Sequence, residues 1–166
     1  SVETSDSEIR ISLTESYSEA MGISIISIDA NGNISVDYNY VIRKELNPRQ
    51  WGMAFSLSEK MLVMKWKKRG LWSVYPENHI GRNEGVAQLF NNHPESGLAG
   101  PKSKPGWTWN EDQTQYGSND FRSTKRNIIE AALLNNKETG IKVHSGGLQH
   151  IRSWYHQNTI HLLVAE

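Results

Sequence analysis

The sequence contains no cysteine among its 166 residues. Disulfide-stapled scaffolds, CxxC redox motifs and thiolate zinc sites are therefore excluded. No apolar run approaches the roughly 20 residues that a membrane-spanning helix needs, so no membrane partner is expected. Lysine plus arginine equals aspartate plus glutamate at 18 each, which gives a formal net charge of zero. Because phosphate-backbone affinity depends on a basic surface, a nucleic-acid partner is not expected either.

Motifs for catalysis are also missing. The sequence has no serine-hydrolase elbow, no glycine-rich phosphate loop and no HExxH. Histidines do recur near the C-terminal end, but their alternation along strands favours a solvent-exposed face over a metal site; they are His144, His150, His156 and His161. Carboxylates that a glycosidase would need in pairs occur only in loop or edge regions; they are Glu77, Glu84, Glu111 and Asp112. We expect no catalytic residue, no metal and no cofactor in this chain.

What the chain does contain is a period-two alternation of apolar and polar residues, which predicts an all-β fold. The clearest case is a hairpin in which segments 20–29 and 34–42 flank the turn Asn31-Gly32-Asn33. Its second strand is expected to bury one row of side chains, namely Ile34, Val36, Tyr38, Tyr40 and Ile42. Further strands are predicted over residues 9–14, 51–57, 61–66, 141–144, 148–156 and 159–165.

The length and the regular turns predict one antiparallel β-sandwich domain over residues 1–166, with long aromatic-rich loops. Two segments are ambiguous by period: residues 84–90 fit a helical turn or a short strand, and residues 127–134 are too short to decide. Residues 1–8 are polar and are expected to be frayed. Since the chain does not begin with methionine, we expect a piece excised from a longer protein.

The stretch from Trp66 to Arg82 concentrates aromatic, amide and charged residues where the strand alternation stops. Flat rings beside carboxylate, amide and guanidinium groups suit a sugar, whose C–H faces stack on rings and whose hydroxyls pair with polar groups. Trp66 holds the phase of a strand and fits a core position, whereas Trp72 fits a core or a sugar-stacking position equally well.

Residues 91–117 form a second region without periodicity, long enough to predict a functional loop. Trp107 and Trp109 stand two residues apart, so an extended chain points both to the same side. They form a stacking platform or plug the end of a sandwich, and the sequence leaves both alternatives open.

The central stretch resembles a motif in the C-terminal β-sandwich of family 2 glycoside hydrolases of the β-galactosidase type. In that family the pattern runs Pro-Arg-x-Gly, a strand ending in tryptophan, a glycine, and Pro-x-Glu-Asn-Tyr-x-Asp-Arg. Here Pro48-Arg49-Gln50-Trp51-Gly52 is similar to the first part with one inserted residue, and Trp66 and Gly70 follow in order. The run 75–82 is similar to the last part, with His79 in place of tyrosine and Gly81 in place of aspartate. The run 115–122 resembles the family's Gln-Glu-x-Gly-Asn run and the Asp-hydrophobic-Arg that follows it.

The resemblance implies a supersandwich fold related to galactose mutarotases and a non-catalytic accessory role beside a catalytic barrel that this chain lacks. The implied partners are a galactoside or related glycan and the barrel domain of the parent chain. Polysaccharide-degrading relatives imply a periplasmic or extracellular location. The candidate carbohydrate-binding residues are Trp72, Tyr75, Glu77, Asn78, His79, Arg82, Trp107 and Trp109. Within this set, Glu77, Asn78 and Arg82 fit equally well as groups that bond their own loop's backbone.

Two alternatives to the accessory role remain. An independent carbohydrate-binding, lectin-like module would bind a free saccharide without any partner domain. A mutarotase-type sugar epimerase would use His79 with Glu77 or Glu84 as general acid and base, although the mutarotase motifs are not apparent.

Overall fold

The computed structural model describes residues 1–43, 50–75, 79–89, 108–110, 113–114, 117–118 and 122–166. The described segments contain strands, turns and bends but no helix, and so none that is long and apolar enough to cross a membrane. The strands are β1 (Val2–Thr4), β2 (Glu8–Ser16), β3 (Ala20–Asp29), β4 (Ile34–Ile42), β5 (Gly52–Ser58), β6 (Val63–Lys68), β7 (Glu84–Gln88), β8 (Gln113–Thr114), β9 (Gly117–Ser118), β10 (Thr124–Lys125), β11 (Ile128–Leu134), β12 (Gly140–His144), β13 (His150–His156) and β14 (Thr159–Ala165). All named strand pairs are antiparallel, so the predicted all-β antiparallel fold is confirmed.

The chain divides into two compact units, Ser1–Arg49 and Gln50–Glu166. The first unit contains one four-stranded sheet in the order β1-β2-β3-β4. The second unit contains two four-stranded sheets, β10-β13-β14-β5 and β12-β11-β6-β7. The assignment of residues 1–166 to a single domain stays a prediction.

The hairpin of β3 and β4 in the first unit is confirmed, and the side chain of Asp29 holds its turn. The Asp29 carboxylate accepts hydrogen bonds from the backbone N–H groups of Asn31 and Asn33 at 2.8 and 2.9 Å. Gly32 adopts a φ of 79°, which a residue without Cβ reaches at little cost. The hydrogen bonds from Asn33 and Asn31 lower the pKa of Asp29, so the turn favours its charged form.

The predicted buried row of β4 is only partly correct. Val36, Tyr38 and Tyr40 are half-buried, whereas Ile34 and Ile42 remain 45% and 46% exposed. These two isoleucines lie at the ends of an edge strand, where neighbouring side chains flank them on one side only.

The expectation that residues 1–8 are frayed is wrong. Val2–Thr4 form β1, which pairs with β2 so that Val2 lies opposite Ile11. The amino group of Ser1 also donates a hydrogen bond to the carbonyl of Ser12 at 2.8 Å. Backbone groups make these bonds, so a polar sequence does not prevent the pairing.

The two sheets of the second unit share one hydrophobic core, as a sandwich requires. Side chains from both sheets are fully buried in it, including Met64, Leu133, Ile151, Ile160 and Leu162. Both ambiguous segments became strands of this sandwich, residues 84–88 as β7 and residues 128–134 as β11. Pairing with β6 decides the strand conformation of both segments, because β6 lies between β11 and β7 in the sheet.

Candidate functional site

The loop between β6 and β7, residues 69–83, carries most of the described candidate residues. Because β6 and β7 are antiparallel neighbours, this loop leaves one end of the sandwich and returns to it. Its base is fixed: the N–H of Lys68 donates to the carbonyl of Asn83 at 2.6 Å, and the Trp66 indole donates to the carbonyl of Arg82 at 2.9 Å. Ile80 anchors the returning segment in the core with 2% exposure.

The tip of this loop, residues 71–75, is apolar and exposed. Leu71, Trp72 and Val74 are 99%, 74% and 72% exposed, and Tyr75 is 47% exposed. Each large apolar side chain that stays in water gives up the stabilisation of about 1.5–3 kcal/mol that its burial would contribute. A fixed base with such a tip is typical of a segment that contacts a ligand or partner.

Tyr75 and His79 form a flat pair behind the tip. Their ring centroids are 4.3 Å apart and their planes differ by 4°. The Nδ1 atom of His79 accepts a hydrogen bond from the N–H of Gly81 at 2.9 Å, which places the proton of the neutral ring on Nε2. Burial, together with the charges of Lys125 and Arg122, lowers the pKa of His79 below its usual 6.5. The imidazole is therefore neutral at pH 7.

Arg82 contacts its own loop. Its Nη1 atom donates to the carbonyl of Tyr75 across 3.5 Å, at the long limit of a hydrogen bond. This contact favours the alternative in which Arg82 pins the loop rather than the one in which it binds a ligand.

Lys125 is a buried cation behind the loop. It is 1% exposed, and its Nζ atom lies 4.4 Å from the centroid of the Trp66 ring. Nζ also donates to the carbonyls of Ile80 and Arg122 at 3.2 and 2.8 Å. Carbonyl dipoles and the ring face replace water around the charge. No local pattern signals this burial, because only the Arg122 carbonyl is near in sequence, whereas Ile80 and Trp66 come from distant parts of the chain.

Trp109 does not belong to a stacking surface. It is 0% exposed, and its indole N–H donates to the carbonyl of Leu62 at 3.0 Å. Its backbone N–H donates to the carbonyl of Gln88 at 3.0 Å, and Thr108 forms a parallel bridge with Gln88. Trp109 thus closes the core beside β7, which corrects its assignment as a sugar-binding residue and matches the plug alternative.

The structure therefore brings together four of the eight candidate residues, Trp72, Tyr75, His79 and Arg82, on one loop. Trp109 is removed to the core, and Glu77, Asn78 and Trp107 lie outside the described residues. The pairing of His79 with Glu77 as general acid and base lies outside them for the same reason. Sequence reasoning missed the aliphatic side chains of Leu71 and Val74, which no periodic pattern marks as exposed.

The C-terminal histidines separate between the two sheets. His144 on β12 lies 3.7 Å from the carboxylate of Glu130 on the neighbouring β11, whereas His150, His156 and His161 lie on β13 and β14. In the part of the chain that the structure describes, no three His, Asp or Glu side chains converge on a metal-sized point.

Comparisons with family models, curated proteins and solved structures found no match to this chain. The resemblance to family 2 glycoside hydrolases therefore rests on the motifs quoted above, and the site is interpreted from the chain's own residues.

Proposed function

We propose that the unit Gln50–Glu166 is a non-catalytic carbohydrate-binding domain that presents the tip of the β6–β7 loop to a galactoside or related glycan. In the parent chain implied by the resemblance, it serves as an accessory domain at the rim of a catalytic barrel. The observation that carries this proposal is Trp72, which is 74% exposed on a loop whose base is fixed in the core.

Because the loop is anchored at its base, only its tip has to be ordered when a pyranose stacks on the Trp72 indole, so less ordering entropy opposes the contact. The stacked Tyr75 and His79 rings add a second flat surface close to the tip. A neutral His79 contributes its ring to this surface without a charge that must be desolvated.

A second candidate is a docking loop for the catalytic barrel itself. The exposed aliphatic side chains of Leu71 and Val74 favour this candidate, because aliphatic groups add apolar contact area but no ring for stacking on a sugar. An independent sugar module needs Trp72 and Tyr75, whereas a docking loop needs all four tip residues.

Isothermal titration of galactose, lactose and a β-galactan oligosaccharide tests the proposal with the wild type and Trp72→Ala. Leu148→Ala is the matched control, because Leu148 is also 74% exposed but lies between β12 and β13. We expect micromolar to low-millimolar binding that Trp72→Ala abolishes and Leu148→Ala preserves. Absence of heat with every ligand, from a folded sample, would reject the independent module and favour the docking loop.

A further inference from the structure

The sheet β10-β13-β14-β5 has an outward face that the proposed function does not use. Inward side chains such as Ile151, Ile160 and Leu162 fill the core, so residues that alternate with them point away from it. Trp154 is one of these outward residues and is 37% exposed. We call the outward side chains of Arg152, Trp154, His156 and His161 the Trp154 face.

The ring of Trp154 is held in place by a histidine. Trp154 lies directly opposite His161 on β14, with ring centroids 5.1 Å apart and planes 15° from parallel. The Nδ1 atom of His161 lies 3.4 Å from the hydroxyl of Ser56 on β5, so the imidazole is in turn positioned by the next strand. The imidazole covers one side of the indole and leaves the remainder to solvent.

The strands of this sheet carry basic side chains and no acidic ones. None of its four strands, β5, β10, β13 and β14, contains an aspartate or glutamate, although the whole chain has 18 acidic residues. Arg152 is exposed on the Trp154 face and forms no ion pair with any residue that the structure describes. An exposed guanidinium beside an aromatic ring and imidazoles favours an anionic ligand with a flat, apolar face.

The spacing fits an acidic sugar. Arg152 and Trp154 are two residues apart on one strand, so their side chains emerge about 6.8 Å from each other. A pyranose stacked on the indole would direct a ring carboxylate towards the guanidinium, whose paired N–H donors match a carboxylate. His156 emerges on the opposite side of Trp154 at the same spacing and extends the surface to a second sugar unit.

We propose that the Trp154 face binds an acidic saccharide, with the indole stacking on a uronate ring and Arg152 pairing with its carboxylate. This site lies on the sheet opposite the one that carries the β6–β7 loop, and it takes a charged ligand where the loop takes a neutral one. A nucleic acid is a poorer fit, because one exposed arginine neutralises too few phosphates.

Isothermal titration of a galacturonic acid trisaccharide, with a neutral galactose trisaccharide in parallel, tests this proposal on the whole chain. We expect the acidic trisaccharide alone to depend on the Trp154 face: Trp154→Ala abolishes its binding, and Arg152→Gln weakens it by about tenfold. Added salt weakens wild-type binding and has little effect on the residual binding of Arg152→Gln. Arg10→Gln, which removes an exposed arginine from β2, and Trp72→Ala leave binding of the acidic trisaccharide unchanged.

Trp154→Phe keeps a ring against His161 and is the second variant in case the alanine variant does not fold; we expect weakened but measurable binding. NMR signals of the His161 ring should shift with the acidic trisaccharide. The proposal is overturned if wild type does not bind the acidic trisaccharide, if Trp154→Ala weakens binding of the acidic and neutral trisaccharides equally, or if a folded Trp154 variant binds the acidic trisaccharide as wild type does. If Trp72→Ala loses binding of the neutral trisaccharide and keeps binding of the acidic one, that result concerns the β6–β7 loop and does not affect the conclusion on the Trp154 face.

Discussion

Substitution of Trp109 by alanine tests whether this residue closes the core or serves a surface. The side chain is 0% exposed and belongs to the core cluster that both sheets of the second unit share. Its indole N–H donates to the carbonyl of Leu62, which precedes β6. Truncation therefore removes packed ring volume and one hydrogen-bond donor at the same point.

The magnitude follows from these two losses. Truncation of a buried tryptophan to alanine costs about 3–5 kcal/mol, because the surrounding structure fills the cavity only in part. The carbonyl of Leu62 keeps the backbone N–H of Leu89 as a donor at 2.8 Å, so loss of the indole N–H adds only the net contribution of one hydrogen bond, about 1 kcal/mol. We expect Trp109→Ala to lower the free energy of unfolding of the second unit by about 4–6 kcal/mol. Trp109→Phe retains most of the ring and should lie between this variant and the wild type.

Urea unfolding followed by tryptophan fluorescence and far-UV circular dichroism measures these values. All six tryptophans lie at or beyond position 51, so fluorescence reports on the second unit alone. Trp72→Ala is the control, and as an exposed substitution it should change the free energy of unfolding by less than about 0.5 kcal/mol. A cost below about 1 kcal/mol for Trp109→Ala, or equal costs for the two variants, would refute the plug assignment.

Two further predictions concern close packing and a half-buried carboxylate. Gly85→Ala should destabilise the second unit by about 1–3 kcal/mol in urea unfolding, because a Cβ there would lie 2.5 Å from Cζ2 of Trp66; Gly146→Ala, with nothing within 4 Å of its Cβ, should be neutral. Tyr40→Phe should raise the pKa of Glu15, which hydrogen bonds from Tyr40 above all hold below its usual 4.5. A lowered carboxyl pKa stabilises the fold above about pH 4.5 and loses that contribution as pH falls through the folded-state pKa. Tyr40→Phe should therefore cost about 1 kcal/mol at neutral pH and flatten the acid dependence of stability; an unchanged Glu15 pKa by NMR titration would contradict this.

The sequence predicted the parts of the fold that local physics decides. The β3–β4 hairpin follows from the β-branched segment 20–29, the turn Asn31-Gly32 and the alternation of segment 34–42. Its turn needs only Asp29 and the positive φ of Gly32. Trp66 was assigned to a core position because it holds the phase of a strand, and it is buried in the core. Such elements carry their own signal, because period and turn chemistry lie within ten or twenty residues.

Burial that depends on distant partners could not be predicted in this way. Trp109 lies in an aperiodic segment, and its partners Leu62 and Gln88 precede it by tens of residues. Lys125 is buried because Trp66 and the carbonyl of Ile80 surround its ammonium, and nothing near it in sequence indicates this. The sequence also could not show that Trp72 is exposed and Trp109 is buried, because neither tryptophan lies in a periodic strand pattern.

The hydrogen bonding of the indole N–H groups divides the tryptophans into core residues and ligand-contact candidates more clearly than exposure alone does. Trp66 and Trp109 are buried, and each donates its N–H to a backbone carbonyl, so both the ring and its polar atom are satisfied within the fold. Trp72 and Trp154 are exposed, and neither donates its N–H to any residue that the structure describes. An indole of the first kind loses a hydrogen bond within the fold if it moves to meet a ligand, whereas one of the second kind exchanges a hydrogen bond with water for one with the ligand. Ligand contacts on this unit are therefore expected at Trp72 and Trp154, on opposite sheets, and this assignment predicts that substitutions at the two sites affect different ligands.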